Sequence, residues 1–155
     1  MRRQRVRYTR RMPVYEYPRP ALTADVVLVR GAAEAREVLL IRRRFDPFAG
    51  RWALPGGFVD EYELPETAAR RELAEETGVV WEEPLALVGI FGRPGRDPRG
   101  WTVSAVYLAQ AGDAPLEVRA GDDAGDAAWF SPDDLPPLAF DHDEIMVEAS
   151  RFLVP

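Results

Sequence analysis

Apolar residues cluster first in two short runs. Ala21 to Arg30 (ALTADVVLVR) and Glu37 to Arg43 (EVLLIRR) are rich in Val, Leu and Ile, and Gly-Ala-Ala-Glu-Ala-Arg between them is a connector of hairpin type, so two sheet strands are expected. Asp46-Pro47 and Ala49-Gly50 mark a loop, Trp52 to Leu54 a short strand, and Pro55-Gly56-Gly57 a sharp turn with unusual backbone angles. Pro65 to Thr77 predicts a helix: Pro stands early, no Gly or Pro interrupts it, Ala, Glu, Arg and Leu fill it, and Gly78 ends it. Leu64 stands where Ser, Thr or Asp would cap the free amides, so this helix start leans on tertiary packing. Strands follow at about Leu85 to Phe91, Val103 to Ala109 and Ala127 to Phe130, and a last helix at about Asp143 to Phe152. Strands, helix, strands, helix without internal repeat predict an α+β fold, a mixed sheet flanked by helices.

The segment before Ala21 reads differently. Residues 1–11 hold six Arg with little apolar content, and Pro13 to Pro20 contains three prolines, so residues 1–20 are expected to be an Arg/Pro-rich arm and residues 21–155 the globular domain. Charge follows the same boundary: residues 1–30 carry eight Arg against Glu16 and Asp25, which leaves −12 on the remainder of a chain whose net charge is −6. Every basic residue is Arg, from which no mechanism follows. No run approaches the ~18 apolar residues of a membrane span, and the Arg-rich start lacks the apolar core of a secretory signal, so a soluble, cytoplasmic protein is expected. With no cysteine, thiolate metal sites and cysteine nucleophiles are excluded, and a metal would be held by oxygen or by the lone His142.

Chemistry concentrates in Gly57 to Val79, GFVDEYELPETAARRELAEETGV. Glu72, Glu75 and Glu76 lie at i, i+3 and i+4, so a helix puts their carboxylates on one face. Three like charges repel, and a hard divalent cation resolves the repulsion; oxygen-only ligands favour Mg²⁺, with Mn²⁺ an alternative. A solvated acidic face with ordinary Arg70 and Arg71 salt links is the competing explanation. The Gly56-Gly57 entrance shifts the balance, since bare backbone lets a carbonyl join the metal and phosphate approach closely.

Gly57, Glu63, Arg71-Glu72-Leu73, Glu75-Glu76 and Gly78-Val79 resemble the Nudix box at every fixed position. WALPGGFVD, GRDPRG, AGDDA and LAFDH are similar to stretches of bacterial and archaeal ADP-ribose pyrophosphatases, and Pro94, 15 residues after Val79, stands about where those enzymes carry a proline, although a Gly-Pro-rich loop would hold one for its turn. The resemblance implies the Nudix α/β/α sandwich and Mg²⁺-dependent cleavage of a nucleoside diphosphate joined to another moiety, foremost ADP-ribose to AMP and ribose 5-phosphate. It implies Glu72, Glu75, Glu76 and the Gly56 carbonyl as metal ligands, with Glu63 and Arg71 bracing the loop. The alternatives are a hydrolase that clears damaged nucleoside triphosphates and a non-catalytic ADP-ribose-sensing module.

Catalytic candidates are Glu72, Glu76 and, for a base on a mobile loop, Asp123 with Asp122 and Asp126 beside it. Arg42, Arg43 and Arg44 end a strand near the box and their guanidinium forks are candidates to grip the diphosphate, with Arg42 and Arg44 expected on one face, against the competing reading of a solvent-facing basic strand end; Gly57, Arg96 and Asp97, with Arg99 beside them, complete the substrate-binding set, unless the last three only form a charged hairpin loop. His142 is expected to start the last helix rather than bind metal, and Trp52 and Trp129 to serve the core. A homodimer is expected, its subunits linked through the arm, while nucleic-acid binding through that arm is disfavoured because Tyr8 is its one interleaved aromatic.

Overall fold

The computed structural model describes residues 15–121 and 123–153; most of the expected arm, and Asp122, lie outside the described residues. Tyr15 to Pro20 are exposed, and regular structure begins at Ala21. The elements are β1 (Ala21–Arg30), β2 (Glu37–Arg43), β3 (Trp52–Ala53), β4 (Gly56–Phe58), α1 (Pro65–Thr77), β5 (Ala86–Phe91), β6 (Thr102–Gln110), β7 (Ala124–Phe130) and α2 (His142–Ser150). Among the described residues no helix is long and apolar enough to cross a membrane.

β1 is the axis of a mixed seven-stranded sheet. One edge runs parallel to β6 from Ala21 opposite Thr102 to Val29 opposite Gln110. The other edge changes partner: Thr23 to Asp25 pair with β4, while Val29 and Arg30 pair with β2. β2 in turn pairs with β3 and β7. The uninterrupted apolar run of β1 is explained by burial on both faces. Val27 and Val29 pack with Val38, Leu40, Val106 and the α2 residues Ile145, Met146 and Ala149. Ala24, Val26 and Leu28 pack with Leu39 and the α1 residues Ala68, Ala69 and Leu73. Alternate β1 side chains thus seat a helix on each side, a helix–sheet–helix sandwich.

α1 keeps the expected bounds, with no side-chain cap at Leu64 and a left-handed Gly78 closing its end. Its last carbonyls are satisfied from outside: the Arg119 amide donates to Thr77 and the Gly121 amide to Glu76, at 2.8 and 2.9 Å. The Gly56-Gly57 segment departs from the expected turn. It is strand β4, with neither glycine at positive φ, and glycine is required there by close approach. A Cβ on Gly56 would meet the Ala24 carbonyl at 2.5 Å, and one on Gly57 would meet the Glu72 carboxylate at 2.5 to 2.7 Å.

Candidate functional site

α1 and β4 bring the acidic residues of the helix against the paired glycines. The Gly56 amide donates to Glu76 Oε2 at 2.9 Å. Burial pushes the Glu76 carboxyl up to about 8, against the pull of that amide. Burial likewise raises Glu72, here opposed by Arg71. Glu75 is exposed.

Arg71 is the hub. Its Nε and one terminal nitrogen donate to Glu63 at 2.8 and 2.9 Å, and that terminal nitrogen also reaches the Phe58 carbonyl at 3.0 Å. Arg71 and the Asp60 amide hold Glu63 down at about 2. These contacts tie the segment after β4 to α1. The other terminal nitrogen of Arg71 meets Glu72 at 2.6 Å and Glu75 at 3.5 Å, so an arginine occupies the space between two of the three carboxylates. Accordingly, among the described residues no three acidic or imidazole side chains are gathered closely enough to hold a metal as they stand.

The donor set nevertheless fits a hard cation. Glu76 is a half-buried carboxyl whose charge burial opposes and which meets a backbone amide rather than a guanidinium, and Glu72 lies in a cradle that any Cβ at position 57 would fill. Oxygen ligands on successive turns of one rigid helix are what a divalent ion needs; Glu72 and Glu75 must leave Arg71 to complete the set.

Beyond Glu76 a cavity opens where β1 changes partner. Asp25, Arg43, Arg96, Asp97, Arg99 and His142 supply its polar lining and Phe58 and Phe140 its aromatic walls. Arg43, not Arg42 or Arg44, reaches this cavity. Arg42 and Arg44 are exposed, whereas Arg43 is half-buried and lines the cavity with Ile41. Arg96 and Asp97 do line the cavity, with much of their hydrogen bonding already engaged. Arg96 donates twice to Asp141, at 2.8 and 2.6 Å, and Asp97 accepts from Arg99. Asp123 and Asp126 are exposed, in the segment that follows Gly121. Gly121 itself lies so close to α1 that a Cβ would collide with the Glu75 carbonyl, which fixes where the acidic loop leaves the helix. Pro94 is exposed beside Gly95, in a turn closed by the Arg96 amide on the Arg93 carbonyl. Trp52 packs edge-on against Phe130 and Trp129 lies under Arg30.

Sequence reasoning missed Asp25, Ser104 and the part played by His142, and named Arg43 only together with Arg42 and Arg44. Ser104 Oγ donates to the buried Asp25 across β1 and β6. His142 is the first residue of α2, as expected, and its Nδ1 accepts the Leu54 amide at 3.0 Å. That bond needs an unprotonated Nδ1, and burial, the largest influence, holds the imidazole below its usual pKa. A depressed histidine favours folding above about pH 6.5 and costs stability as the pH falls from there through the folded-state value. His142→Asn keeps an acceptor at the Nδ1 position and does not titrate. The wild type should therefore lose melting temperature relative to this variant between pH 7 and 5; parallel melting curves would mean that His142 does not carry the effect.

The NUDIX domain model matches residues 19–149 of the chain. An ADP-ribose pyrophosphatase of Methanocaldococcus jannaschii is 40% identical over 88% of this chain and 76% of its own length. An ADPR-responsive transcriptional repressor, NtrR, of Acinetobacter baylyi is 32% identical over 86% of this chain, which spans 54% of that protein. The NUDIX domain of Shewanella oneidensis NrtR, solved in complex with ADP ribose, superposes at a TM-score of 0.79, 33% identical over 89% of this chain and 91% of that one.

Proposed function

Starting from a chain that belongs to the Nudix family and is a Nudix pyrophosphohydrolase, we propose that its substrate is ADP-ribose and its ion Mg²⁺. Water adds to one phosphorus of the diphosphate, the bridging P–O bond breaks, and AMP and ribose 5-phosphate leave. The observation that carries this reading is the half-buried carboxyl of Glu76, hydrogen-bonded to the Gly56 amide, in the lining of a cavity that also holds Arg43, Arg96 and Arg99. Support for the substrate comes from the relative that is an ADP-ribose pyrophosphatase and from the similar domain that binds ADP ribose.

Nudix hydrolases generally use divalent ions. Glu72, Glu75, Glu76 and the Gly56 carbonyl would hold the ion, which supplies charge neutralisation on the diphosphate and a more acidic water. The protein's own groups do the rest. Gly57, having no side chain, leaves room beside Glu72 for phosphate oxygens. Arg71 holds the loop after β4 on α1, which keeps the Gly56 backbone beside the helix that carries the glutamates. Two groups are our candidates to take the water's proton: Glu72, whose pKa burial raises, and Asp123, exposed in the segment after Gly121, whose amide donates to the Glu76 carbonyl. The same proposal has the protein act as a cytoplasmic homodimer on a nucleotide, with residues 1–20 an arm to the domain of residues 21–155.

The sensing relative favours one second reading, in which ADP-ribose is bound and not cut. Products decide between them. Purified protein with Mg²⁺ should convert ADP-ribose to AMP and ribose 5-phosphate in equal amounts. Inorganic pyrophosphate released from nucleoside triphosphates, with ADP-ribose untouched, would replace this reading by a triphosphate-clearing one; binding without turnover would replace it by the sensor.

A further inference from the structure

Two buried side chains of the cavity use only half of their hydrogen-bonding capacity. Asp25 is 7% exposed, and among the described residues its carboxylate accepts one hydrogen bond, from Ser104 to Oδ2. Arg43 and Arg96 feel its charge, yet both are bonded elsewhere, to the Pro47 carbonyl and to Asp141. The other oxygen, Oδ1, lies against Gly56, where a Cβ would collide with it. His142 is 4% exposed. Its Nδ1 accepts the Leu54 amide, so the ring proton sits on Nε2, a donor that has no partner among the described residues.

Among the described residues, Trp81 Nε1 is the one buried side-chain polar atom that is both closed off and without a partner. Asp25 Oδ1 and His142 Nε2 are therefore open to space, and the cavity that their residues line together with Glu76 is that space. Both are held from behind: the fully buried Ser104 fixes the carboxylate from β6, and the Leu54 amide fixes the imidazole at the start of α2. Buried polar groups are rarely left half satisfied unless a ligand completes them. A carboxylate oxygen accepts, and Nε2–H donates. Phosphate suits the imidazole but is repelled by the carboxylate, and a cation suits the carboxylate but not the N–H. A neutral group with a donor beside an acceptor suits both, as do neighbouring sugar hydroxyls or a base edge with an amine next to a ring nitrogen.

We propose that Asp25 Oδ1 and His142 Nε2 are an acceptor and donor pair that recognises a neutral hydroxyl or base edge of the substrate beside its diphosphate. The pair rests on the reading that the substrate is a nucleoside diphosphate joined to another group. It decides which such molecules enter, because a site built to bond a hydroxyl or amine rejects analogues that leave its buried groups unmet. The test uses α,β-methylene ADP-ribose, whose bridging carbon prevents cleavage of the diphosphate, and two truncations of it, α,β-methylene ADP and methylenediphosphonate. Each is titrated calorimetrically, with Mg²⁺, into full-length wild type, Asp25→Ala, Asp25→Asn and His142→Asn. Asp25→Ala should bind α,β-methylene ADP-ribose about 10-fold or more weakly, the scale of a hydrogen bond to a charged group, and His142→Asn about 5-fold more weakly. Asp25→Asn keeps an acceptor without the charge and should fall between wild type and Asp25→Ala. Methylenediphosphonate should bind all four proteins alike. A deficit that persists with α,β-methylene ADP places the recognised group on the adenosine, and one that disappears places it on the terminal ribose; either upholds the pair. Asp25→Asn is nearly isosteric and His142→Asn keeps the bond to Leu54, so both remain informative if Asp25→Ala does not fold. Unweakened binding of α,β-methylene ADP-ribose by the two Asn variants would overturn the pair, as would no binding by wild type. An equal deficit for methylenediphosphonate would also overturn it, since these residues would then act through the ion or the phosphates. Pair-dependent binding by a protein that leaves ADP-ribose uncut would uphold the pair and sink the substrate assignment; turnover of ADP-ribose with unaltered binding in the variants would do the reverse.

Discussion

Glu76→Gln is expected to lower turnover of ADP-ribose at least ~100-fold, the scale on which losing one electrostatic contact to a transition state is felt, while the protein stays folded. The fold should tolerate the change because the amide keeps the shape and keeps an oxygen to accept the Gly56 amide now bound at 2.9 Å. It should also tolerate the lost charge, since burial already pushes the carboxyl up to about 8 and a neutral side chain suits the ligand-free pocket. What glutamine cannot do is become an anion when a cation arrives. Two measurements separate these effects. Steady-state turnover with Mg²⁺ should collapse, and the rise in melting temperature that Mg²⁺ or Mn²⁺ gives the wild type should shrink or vanish in the variant. A variant keeping a tenth of wild-type turnover, or stabilised by the ion as strongly as the wild type, would remove Glu76 from the ligand set. Arg71 bears on the same experiment, because its guanidinium, now 2.6 and 3.5 Å from Glu72 and Glu75, would have to release them for those carboxylates to hold an ion.

What the sequence made legible is what neighbours along the chain decide. α1 has its expected ends because Pro65 and Gly78 punctuate it locally, and β1 and β2 because their apolar runs are long. The spacing of Glu72, Glu75 and Glu76 needs only the helical period to put them on one face. Pairings across long stretches of chain were beyond such reasoning. Asp25 matters because β1 runs parallel to β6 and places Ser104 beside it, a contact spanning 79 residues. The choice of Arg43 over Arg42 and Arg44 depends on which strand face meets the cavity, which alternation leaves undecided. Gly56-Gly57 read as a turn because glycine pairs usually serve turns; here they serve a strand squeezed between Asp25 and Glu72. Arg71 shows both kinds at once. Its grip on Glu63 follows the motif, but its hold on Glu72 and Glu75 emerges only from side-chain geometry.

Asp141→Ala should cost about 3–5 kcal/mol, the range for removing one partner of a buried ion pair, and so a large part of the stability of a domain this size. Arg96 and Asp141 are 4% and 3% exposed and joined by two hydrogen bonds of 2.8 and 2.6 Å. Burial works against the arginine's charge, and the Asp141 contact overrules it, leaving its pKa raised. Without Asp141 the guanidinium has no counter-charge in contact and little water to turn to. The cost is therefore mostly that of an abandoned cation, and Arg96→Met added to Asp141→Ala should recover part of it, because a flexible apolar side chain can fill the space with no charge to solvate. Urea unfolding of the two single variants and the double variant reads this directly as non-additivity. The pair also ties the loop that carries Asp97 and Arg99 to the residue preceding His142. A loss below about 1 kcal/mol, the value of an exposed pair, would mean that solvent reaches these groups and that the loop is held by something else.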